Sequence, residues 1–590
     1  MVAVSRGFRF PASGRSVKVA AMSPKTNRTF PAPSLSRRQV LGGLAAGLAA
    51  STFAPLGRAE ASEVPAPAGA GDGGTFRFEE ATVADLQHRM GEGSETARSI
   101  AAAYLDRIER LDRSGPAVNS VIETNPDALA IAEGLDRERK ERGARGPLHG
   151  IPVLIKDNID TADRMKTTAG SLALEGSRPS RDAFLVERLR AAGAVILGKT
   201  NLSEWANFRS TRSTSGWSGR GGQTRNPYAL DRSPSGSSSG TGAAIAASFA
   251  ALGVGTETDG SIVSPSSVQG LVGIKPTVGL VSRAGVIPIA ASQDTAGPMC
   301  RTVADAAILL SVLAGKDPRD PATAAAEGLG DYAAGLDPKG LQGARIGVVR
   351  SQGFGRNPAV DAVFDRAVEA IRELGAVVVA PVDLAWSQEI DDAEFQVLLY
   401  EFKDGLERYL AERGGPHRTM ADLIAWNEVH RDRESPWFGQ EIFVAAAAKG
   451  PLSDEAYRKA RNLCVEGART KGLEATLAAD RLDALVTPTN GLAWLIDWAN
   501  GDAYTGGSSS IAAVAGTPSV TVPAGFAFGL PVGLSFSGAA WSEAKLIRYA
   551  YAFEQGTRAR RPPRFLPSAD FSADRMPEPS KAKTAPDKKE

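Results

Sequence analysis

The stretch Gly150-Ile-Pro-Val-Leu-Ile-Lys-Asp-Asn158 indicates the fold class, because its apolar side chains form a short continuous run that ends on a lysine. Runs of this kind are typical of strands that are buried on both faces of a parallel sheet. Farther along, residues 182–192 have the apolar spacing of a helix, and residues 194–197 predict the next strand. Helices that alternate with short apolar strands predict an α/β fold, in which helices cover both faces of one central mixed β-sheet.

The same alternation continues on both sides of this stretch. In chain order, the pattern predicts helix 96–111, helix 125–139 opened by Asn125-Pro126, strand 345–349, helix 360–374, strand 376–380, and strands 482–486 and 519–523. Residues 390–480 are mostly helical by period, and strand character returns after them. We therefore predict a single large domain over residues 77–568 with a helical insertion at about 390–480.

The first 61 residues differ in character from the rest, since they hold nine basic residues and one acidic residue. Ser36-Arg-Arg-Gln-Val-Leu-Gly42, the apolar stretch 43–54 and Ala59-Glu-Ala61 are typical of a twin-arginine export signal that is cleaved after Ala61. The alternatives are a disordered basic leader and a short membrane anchor, although the apolar run is shorter than the roughly 20 residues of a spanning helix. The signal predicts an exported bacterial protein, periplasmic or secreted, with the twin-arginine machinery as a partner.

The segments on either side of the predicted domain and the charge balance of the chain allow further predictions. Residues 62–76 are predicted to be a linker, and the tail 569–590, rich in Lys, Pro, Asp and Ser, is predicted to be disordered. The chain carries 68 basic and 67 acidic residues, so loss of the basic leader would leave an acidic protein. An acidic surface argues against a nucleic-acid partner.

Cys300 and Cys464 are the only cysteines in the sequence. CxxC and HExxH patterns do not occur, so the sequence predicts no metal site, and it predicts no organic cofactor. The two thiols could form one disulfide in an exported protein, but two buried free cysteines are the simpler interpretation.

Three polar residues lie at turns and strand ends: Lys156 ends the apolar run, Ser237 lies in Ser233-Pro-Ser-Gly-Ser-Ser-Ser-Gly-Thr-Gly242, and Ser261 lies in Gly255-Thr-Glu-Thr-Asp-Gly-Ser-Ile262. A serine hydroxyl is a weak nucleophile until a neighbouring base takes its proton. A lysine is such a base only when it is uncharged, so burial has to lower its pKa from about 10.4. This set of residues predicts a serine hydrolase whose base is a lysine.

Other interpretations of the serine-rich segment are possible. It could be a flexible turn before the Ala-rich helix 243–250. Gly236-Ser-Ser-Ser-Gly240 also matches a nucleophile elbow, but that motif needs a strand directly before the turn, and residues 224–234 show no apolar alternation. A Ser-His-Asp arrangement would need a histidine, and His149, close to Lys156 in the chain, could line the site.

The segment 146–298 resembles the amidase signature family in its K-D-N strand end, its Gly/Ser-rich stretch and its G-T-x-x-x-G-S-I turn. The similarity extends through residues 484–488 and 514–538, so it covers most of the chain between the leader and the tail. The resemblance implies one α/β domain around a mixed sheet, with no metal or organic cofactor.

The resemblance also implies roles for individual residues. Ser261 is the expected nucleophile, Ser237 is the expected bridging serine, held by a cis peptide bond, and Lys156 is the expected base of an acyl-enzyme mechanism. The oxyanion hole is expected to consist of backbone N–H groups of the turn, namely those of Thr258, Asp259, Gly260 and Ser261.

The turn departs from the family pattern at several positions. Asp259 stands in place of a glycine, Val263 in place of a frequent arginine, and Glu257 in place of a common aspartate, while Ser235 and Ser239 replace glycines. The oxyanion hole tolerates these changes because it uses backbone groups. The substrate's preferred charge is left open by Asp259 and Val263.

Two loops resemble those of the peptide-amidase-like branch of the family. They are residues 210–222 and 435–440, in which Trp217 and Trp437 would wall the substrate cleft. Ordinary packing is the alternative for both tryptophans. Ser238 is also predicted to contact the substrate.

Together these features predict an amidase that hydrolyses a carboxylic amide, with the C-terminal amide of a short peptide as a candidate substrate. One rival is a subunit of the tRNA-linked glutamine amidotransferase, which shares the family but conflicts with an export leader and an acidic chain. The other rival is a binding protein that keeps the fold without turnover. The intact residues Lys156, Ser237 and Ser261 argue against that second rival.

Overall fold

The computed structural model describes residues 76–326, 328 and 330–575, and these residues belong to one compact unit. The strands, in chain order, are β1 (Val121–Thr124), β2 (Pro152–Lys156), β3 (Val195–Thr200), β4 (Trp217–Ser218), β5 (Gly222–Gln223), β6 (Leu252–Glu257), β7 (Val272–Lys275), β8 (Thr295–Cys300), β9 (Arg345–Val349), β10 (Val377–Val382), β11 (Ala484–Pro488), β12 (Ser519–Ala527) and β13 (Leu530–Ser537).

Eleven of these strands form one sheet in the order β1-β3-β2-β6-β8-β7-β12-β13-β11-β9-β10, while β4 and β5 form a separate ribbon. β2 runs parallel to both β3 and β6, and β9 runs parallel to both β10 and β11. The other neighbours in the large sheet are antiparallel. The sheet is therefore mixed, as predicted.

The helices flank this sheet and also build the insertion. They are α1 (Val83–Gly91), α2 (Ala97–Arg107), α3 (Ala128–Arg142), α4 (Phe184–Ala191), α5 (Ser239–Ala246), α6 (Val263–Val268), α7 (Val303–Leu313), α8 (Pro358–Glu373), α9 (Gln388–Arg413), α10 (Met420–Val429), α11 (Arg431–Glu434), α12 (Glu441–Ala447), α13 (Glu455–Leu463), α14 (Ala475–Ala479), α15 (Ser510–Ala515) and α16 (Glu543–Thr557). π-helical segments, Ile108–Arg113 and Cys464–Glu474, continue α2 and α13. The predicted fold class, an α/β domain with a central mixed sheet, is confirmed.

One predicted helix begins later than expected. The helix that Asn125 and Pro126 were expected to open begins at Ala128. The Asn125 side chain is hydrogen-bonded elsewhere, because its Nδ2 donates to the backbone oxygen of Ile196 at 2.9 Å. Its Oδ1 accepts from the N–H of Asp127, also at 2.9 Å. Asn125 therefore ties the chain to β3 instead of capping the helix.

The predicted helical insertion at 390–480 corresponds to the run of helices from α9 to α14. It packs on loops of the domain core through an apolar cluster that is separate from the main core. This cluster includes Ala169, Leu174, Trp205, Phe208, Ile287 and Ile289 from the core loops, and Leu398, Phe402, Leu406, Met420, Leu423 and Phe443 from the insertion. The helix α9 has 26 residues, and no helix in the described part of the chain qualifies as a membrane span.

The predicted leader, the linker up to residue 75 and residues 576–590 lie outside the described residues. Residues 569–575, at the start of the predicted tail, contact the domain. The Phe571 ring lies 5.8 Å from the Phe528 ring, and Arg561 pairs with Asp574 at 3.1 Å. The boundaries of the domain and the disorder of the tail stay predictions.

Both cysteines, Cys300 and Cys464, are buried and free. The disulfide that the sequence left open is therefore not formed. Groups of three or more histidine, cysteine, aspartate or glutamate side chains that could hold a metal ion were not found among the residues described.

A buried ion pair fixes the loop after β3 against the insertion. Arg209 Nε lies 3.1 Å from Glu204 Oε1, and both side chains are fully buried. Arg209 Nη1 also donates to the backbone oxygen of Glu434, in the insertion, at 2.6 Å. Burial raises the pKa of Glu204 well above its usual value, Arg209 lowers it, and the carboxylate of Glu434 raises it.

We expect an Arg209→Met protein to be destabilised by about 3–5 kcal/mol, because loss of one partner leaves the other buried without its counter-charge. The folded-state pKa of Glu204 should rise further in this variant. Protonation would then relieve the penalty, so the destabilisation should shrink as the pH falls from 8 towards 5. Urea unfolding at both pH values measures this.

The matched control is Arg137→Met, which breaks an exposed pair with Glu133. Its effect should stay below about 1 kcal/mol at either pH. Similar unfolding free energies for the Arg209 and Arg137 variants would contradict the assigned role of the buried pair.

Candidate active site

Two parallel strands bring Lys156 and Thr256 to one edge of the sheet. Strand β2 runs beside β6 with Ile155 opposite Val254, so the carboxyl ends of both strands lie together. Ligand sites of α/β proteins form at such strand ends. Lys156 Nζ donates to the hydroxyl of Thr256 at 2.9 Å and to its backbone oxygen at 3.2 Å. These contacts hold the lysine amine inside the protein.

Ser237 lies in the loop before α5, next to this lysine. Its Oγ is 2.8 Å from Lys156 Nζ, and both side chains are fully buried. The peptide bond between Gly236 and Ser237 is cis. The N–H of Ser203 donates to the backbone oxygen of Ser237 at 3.1 Å, which anchors the loop to the segment after β3. The structure thus brings the first two predicted residues into contact.

Burial lowers the pKa of Lys156 from its usual 10.5 to about 7. Removal from water disfavours the charged form of an amine. The carboxylates of Glu257 and Asp294 act in the opposite direction, because negative charge favours the ammonium, but desolvation is the larger effect. A substantial share of this lysine is therefore uncharged near neutral pH.

Ser261 lies in the turn between β6 and α6 and is also buried. The N–H of Ser238 donates to the backbone oxygen of Ser261 at 3.2 Å, which ties this turn to the serine-rich loop. Within the part of the chain that the structure describes, the hydroxyls of Ser261 and Ser237 are not hydrogen-bonded to each other. Catalytic hydrogen bonds are often long before substrate binds. The two serines are thus neighbours whose hydroxyls are not yet linked.

The side chain of Glu257 holds the backbone of this turn in place. The Glu257 carboxylate accepts from the N–H groups of Ile262 at 2.7 Å and Val263 at 3.0 Å. Both donors lie at the start of α6, where backbone N–H groups lack helical partners. Glu257 therefore fixes the chain directly after Ser261.

Side chains on the other part of the turn are tied to neighbouring segments. The hydroxyl of Thr258 donates to Asp294 at 2.6 Å, and the carboxylate of Asp259 accepts from the hydroxyl of Ser510 at 2.6 Å. Gly260 has a φ of +79°, a conformation that favours glycine. Thr258, Asp259 and Gly260, three of the four residues predicted for the oxyanion hole, thus belong to a turn that is firmly positioned.

Two of the residues predicted to contact the substrate are engaged in contacts within the protein. The Ser238 hydroxyl is fully buried, donates to the backbone oxygen of Thr256 at 3.0 Å and accepts from its N–H at 3.2 Å. Trp217 is buried and packs edge-on against Phe438, with ring centroids 5.2 Å apart. Contacts of Ser238 and Trp217 with a substrate stay predictions that this geometry does not favour.

Trp437 lies in a different environment. It is 45% exposed and stacks on Trp498, which is 40% exposed, with ring centroids 4.9 Å apart. Its role in substrate binding stays a prediction. His149 does not line the site, because it precedes β2 and so lies at the end of that strand opposite to Lys156. Its Nε2 is 3.0 Å from the backbone oxygen of Leu135.

Sequence reasoning missed Thr256 and Asn158 as members of the site. Asn158 Nδ2 donates at 2.9 Å to the same Thr256 hydroxyl that accepts from Lys156. Both residues stand within the motifs quoted above. The spacing of those motifs gives no sign that the side chains of Lys156 and Asn158 converge on the hydroxyl of Thr256.

Comparison with known proteins gives consistent results. The protein-family model Amidase matches residues 99–547. An amidase of Arabidopsis thaliana is 43% identical over 508 residues, which cover 83% of this chain and 93% of that protein. An amidase of the fungus Arthroderma benhamiae is 39% identical over 505 residues, which cover 80% of this chain and 81% of that protein. The crystal structure of native peptide amidase from Stenotrophomonas maltophilia is 56% identical, covers 83% of this chain and all of that chain (100%), and has a TM-score of 0.80.

The plant and fungal relatives correct one prediction. The sequence predicted an exported bacterial protein, periplasmic or secreted, but these similar amidases are eukaryotic. That prediction of localisation is wrong. The twin-arginine machinery as a partner has no support either, and the motif at residues 36–61 lies outside the described residues.

Proposed function

The chain belongs to the amidase signature family, and from that premise we propose that it hydrolyses a carboxylic amide to an acid and ammonia through an acyl-enzyme on Ser261. One observation carries this mechanism: Lys156 Nζ and Ser237 Oγ are 2.8 Å apart in a fully buried site. An uncharged amine at this distance can act as a general base towards the hydroxyl.

The proposed reaction begins with two proton transfers. Lys156 accepts the proton of Ser237 Oγ, Ser237 accepts that of Ser261 Oγ, and Ser261 Oγ forms a bond to the amide carbonyl carbon, whose oxygen takes the negative charge. The proton returns along the same path to the amide nitrogen, which then leaves as ammonia when the C–N bond breaks. A water molecule then attacks the acyl carbon while Lys156 and Ser237 take up its proton. The bond from this carbon to Ser261 Oγ breaks, the proton returns to Ser261 Oγ, and the acid is released.

The negative charge on the carbonyl oxygen needs donors. The proposed donors are backbone N–H groups of residues 258–261. The side chains of Thr258 and Asp259 support this proposal, because their contacts with Asp294 and Ser510 hold the turn in place. Such donors typically contribute about 3–4 kcal/mol each to transition-state binding.

The C-terminal amide of a peptide is the proposed substrate. The 56% identity to the peptide amidase of Stenotrophomonas maltophilia supports it. Ammonia release from a panel of amino acid amides, peptide amides and aliphatic amides tests it. We expect the highest kcat/KM with peptide amides, and a clear preference for aliphatic amides would contradict this substrate class.

The pKa of Lys156, about 7, predicts the pH dependence of the reaction. Because only the uncharged amine accepts a proton, kcat/KM should rise about tenfold per pH unit well below this pKa and level off above it. Initial rates between pH 5 and 9 measure the profile. A rate that is flat or falls over the range 5.5 to 8 would contradict lysine as the base.

A further inference from the structure

Lys275, at the end of β7, is a buried lysine to which the proposed reaction gives no role. Its side chain is fully buried, and its Nζ donates to the backbone oxygen of Pro276 at 3.1 Å. A charged amine in the protein interior needs a counter-charge, because a buried ion without one costs much free energy. The position of Lys275 in the sheet indicates which carboxylate supplies this counter-charge.

The register of the sheet places the side chains of Lys275 and Glu257 on one face. Strands β6 and β7 pair with β8 from its two sides. Glu257 lies opposite Thr295 of β8, and the antiparallel register of β7, continued by two residues, puts Lys275 opposite Gly297. Residues that lie opposite each other, or two apart along a strand, project to the same face of a sheet. All four residues therefore share a face, and the glycine adds no side chain between the two charged ones.

This face of the sheet also carries the turn of Ser261. A Cβ added at Gly297 would meet the side chain of Ile262 at 3.2 Å. One oxygen of the Glu257 carboxylate, Oε2, accepts from the N–H groups of Ile262 and Val263. The other oxygen, Oε1, is buried and has no hydrogen-bond partner within the described part of the chain. A carboxylate oxygen and an ammonium group, both with bonding capacity to spare, thus lie on the same face.

The charges of Lys275 and Glu257 act on each other. Burial raises the pKa of Glu257, and Lys275 lowers it. Burial lowers the pKa of Lys275 to about 8, and Glu257 opposes this shift more strongly than Glu543 and Asp259 do. The two groups are not in direct contact, but charges interact over several ångströms where little water screens them. Other titratable groups that act on this carboxylate or respond to it are Asp259, Lys156 and Tyr504.

We propose that Lys275 is a positioning residue: its ammonium group is the counter-charge that keeps Glu257 ionised, and the ionised carboxylate holds the turn of Ser261. Hydrogen bonds to a charged acceptor are roughly twice as strong as those to a neutral one. The two N–H groups that Glu257 accepts from directly follow the nucleophile, so weaker bonds would let its hydroxyl and the oxyanion turn shift. The inference rests on the proposed function and adds to it a residue that touches no reacting atom.

The Lys275→Met protein should lose about tenfold in kcat at pH 6 and stay within about twofold of wild type at pH 9, with KM unchanged within twofold. At pH 6, Glu257 without its counter-charge takes up a proton. At pH 9 it is ionised in both proteins, and wild-type Lys275 is itself mostly uncharged. A neutral Glu257 would also lower the pKa of Lys156, which favours the variant at pH 6, so a loss there reports the turn and not the base. Ammonia release from the amide that wild type hydrolyses fastest measures both constants.

Glu257→Gln is the partner variant, and it should lose about tenfold in kcat at both pH values, because the amide is never charged. Adding Lys275→Met to it should change kcat at pH 6 by no more than about twofold, because an uncharged side chain needs no counter-charge. Glu543→Gln is the matched control, since Glu543 is also buried and accepts from the N–H of Thr277, two residues after Lys275, at 2.6 Å. In that background, Lys275→Met should keep its full effect of about tenfold.

A packing role for Lys275 predicts the same loss at pH 6 and pH 9 and in every background, and that result would overturn the inference. An unchanged kcat of the Lys275→Met protein at pH 6 would overturn it too, as would coupling to Glu543→Gln in place of Glu257→Gln. Should methionine prevent folding, Lys275→Gln removes the same charge and allows the same comparison.

The proposed function can fail separately, if wild type hydrolyses no amide of the panel. The urea midpoints of the same proteins at pH 6 then still test the pair of charges. Midpoint shifts of Lys275→Met and Glu257→Gln that are not additive support the pair, and additive shifts contradict it.

Discussion

A Ser261→Ala protein is expected to lose amide hydrolysis by a factor of about 10⁴ or more, because the acyl-enzyme has no oxygen on which to form. Alanine removes one hydroxyl from a residue that is 7% exposed, so the turn around it should keep its hydrogen bonds to Glu257. Ammonia release measures the loss of turnover. A fluorophosphonate probe, which reacts with activated serines, should label wild type once per chain and leave the variant unlabelled.

Ser266→Ala is the matched control for this experiment. Ser266 is a fully buried serine of α6, five residues after Ser261, and its hydroxyl has no hydrogen-bond partner within the described part of the chain. Its removal should leave turnover and labelling unchanged. Full activity of the Ser261→Ala protein would refute the mechanism. Loss of labelling in a Ser238→Ala protein alone would instead point to the elbow interpretation of residues 236–240.

The architecture could be predicted because it depends on local patterns. The apolar run before Lys156 avoids water only if both faces of the strand are buried, and the structure buries every residue of β2. The start of α3 could not be predicted in the same way. Asn125 is a good capping residue by type, but its amide bonds to Ile196, 71 positions along the chain, and such a partner is invisible to a local pattern.

The contact between Lys156 and Ser237 could be anticipated from the sequence through the resemblance to the amidase signature family, which implies that Lys156 is the base and Ser237 the bridging serine. The roles of Ser238, Trp217 and Trp437 could not be predicted from the sequence. Aromatic and hydroxyl side chains suit both packing and binding. The tertiary structure alone determines which of these side chains contacts the backbone and which contacts solvent. The Ser238 hydroxyl donates a hydrogen bond to the backbone of Thr256, while Trp437 is half exposed.

A Lys156→Met protein tests the base directly, and we expect its kcat to fall by a factor of about 10²–10⁴, the usual contribution of a general base. Methionine has a similar length and no charge, so it fits a fully buried position without the desolvation cost that lowers the pKa of the lysine. Thermal unfolding should therefore show a folded protein. The residual activity should also lose the rise in rate around pH 7, because the group that titrates there is gone.

Lys199→Met is the matched control, because Lys199 is equally buried but donates elsewhere, to the backbone oxygen of Ile159 at 2.6 Å and to the hydroxyl of Thr167 at 2.8 Å. Burial lowers its pKa as well, so both variants remove a buried amine of lowered pKa, and they differ in the groups that this amine contacts. The Lys199 variant should keep the pH profile of wild type and most of its kcat. A Lys156→Met protein with the wild-type profile would show that another group takes the proton of Ser237. Loss of the profile in both variants would show that buried amines support this part of the sheet in general, without a specific transfer to Ser237.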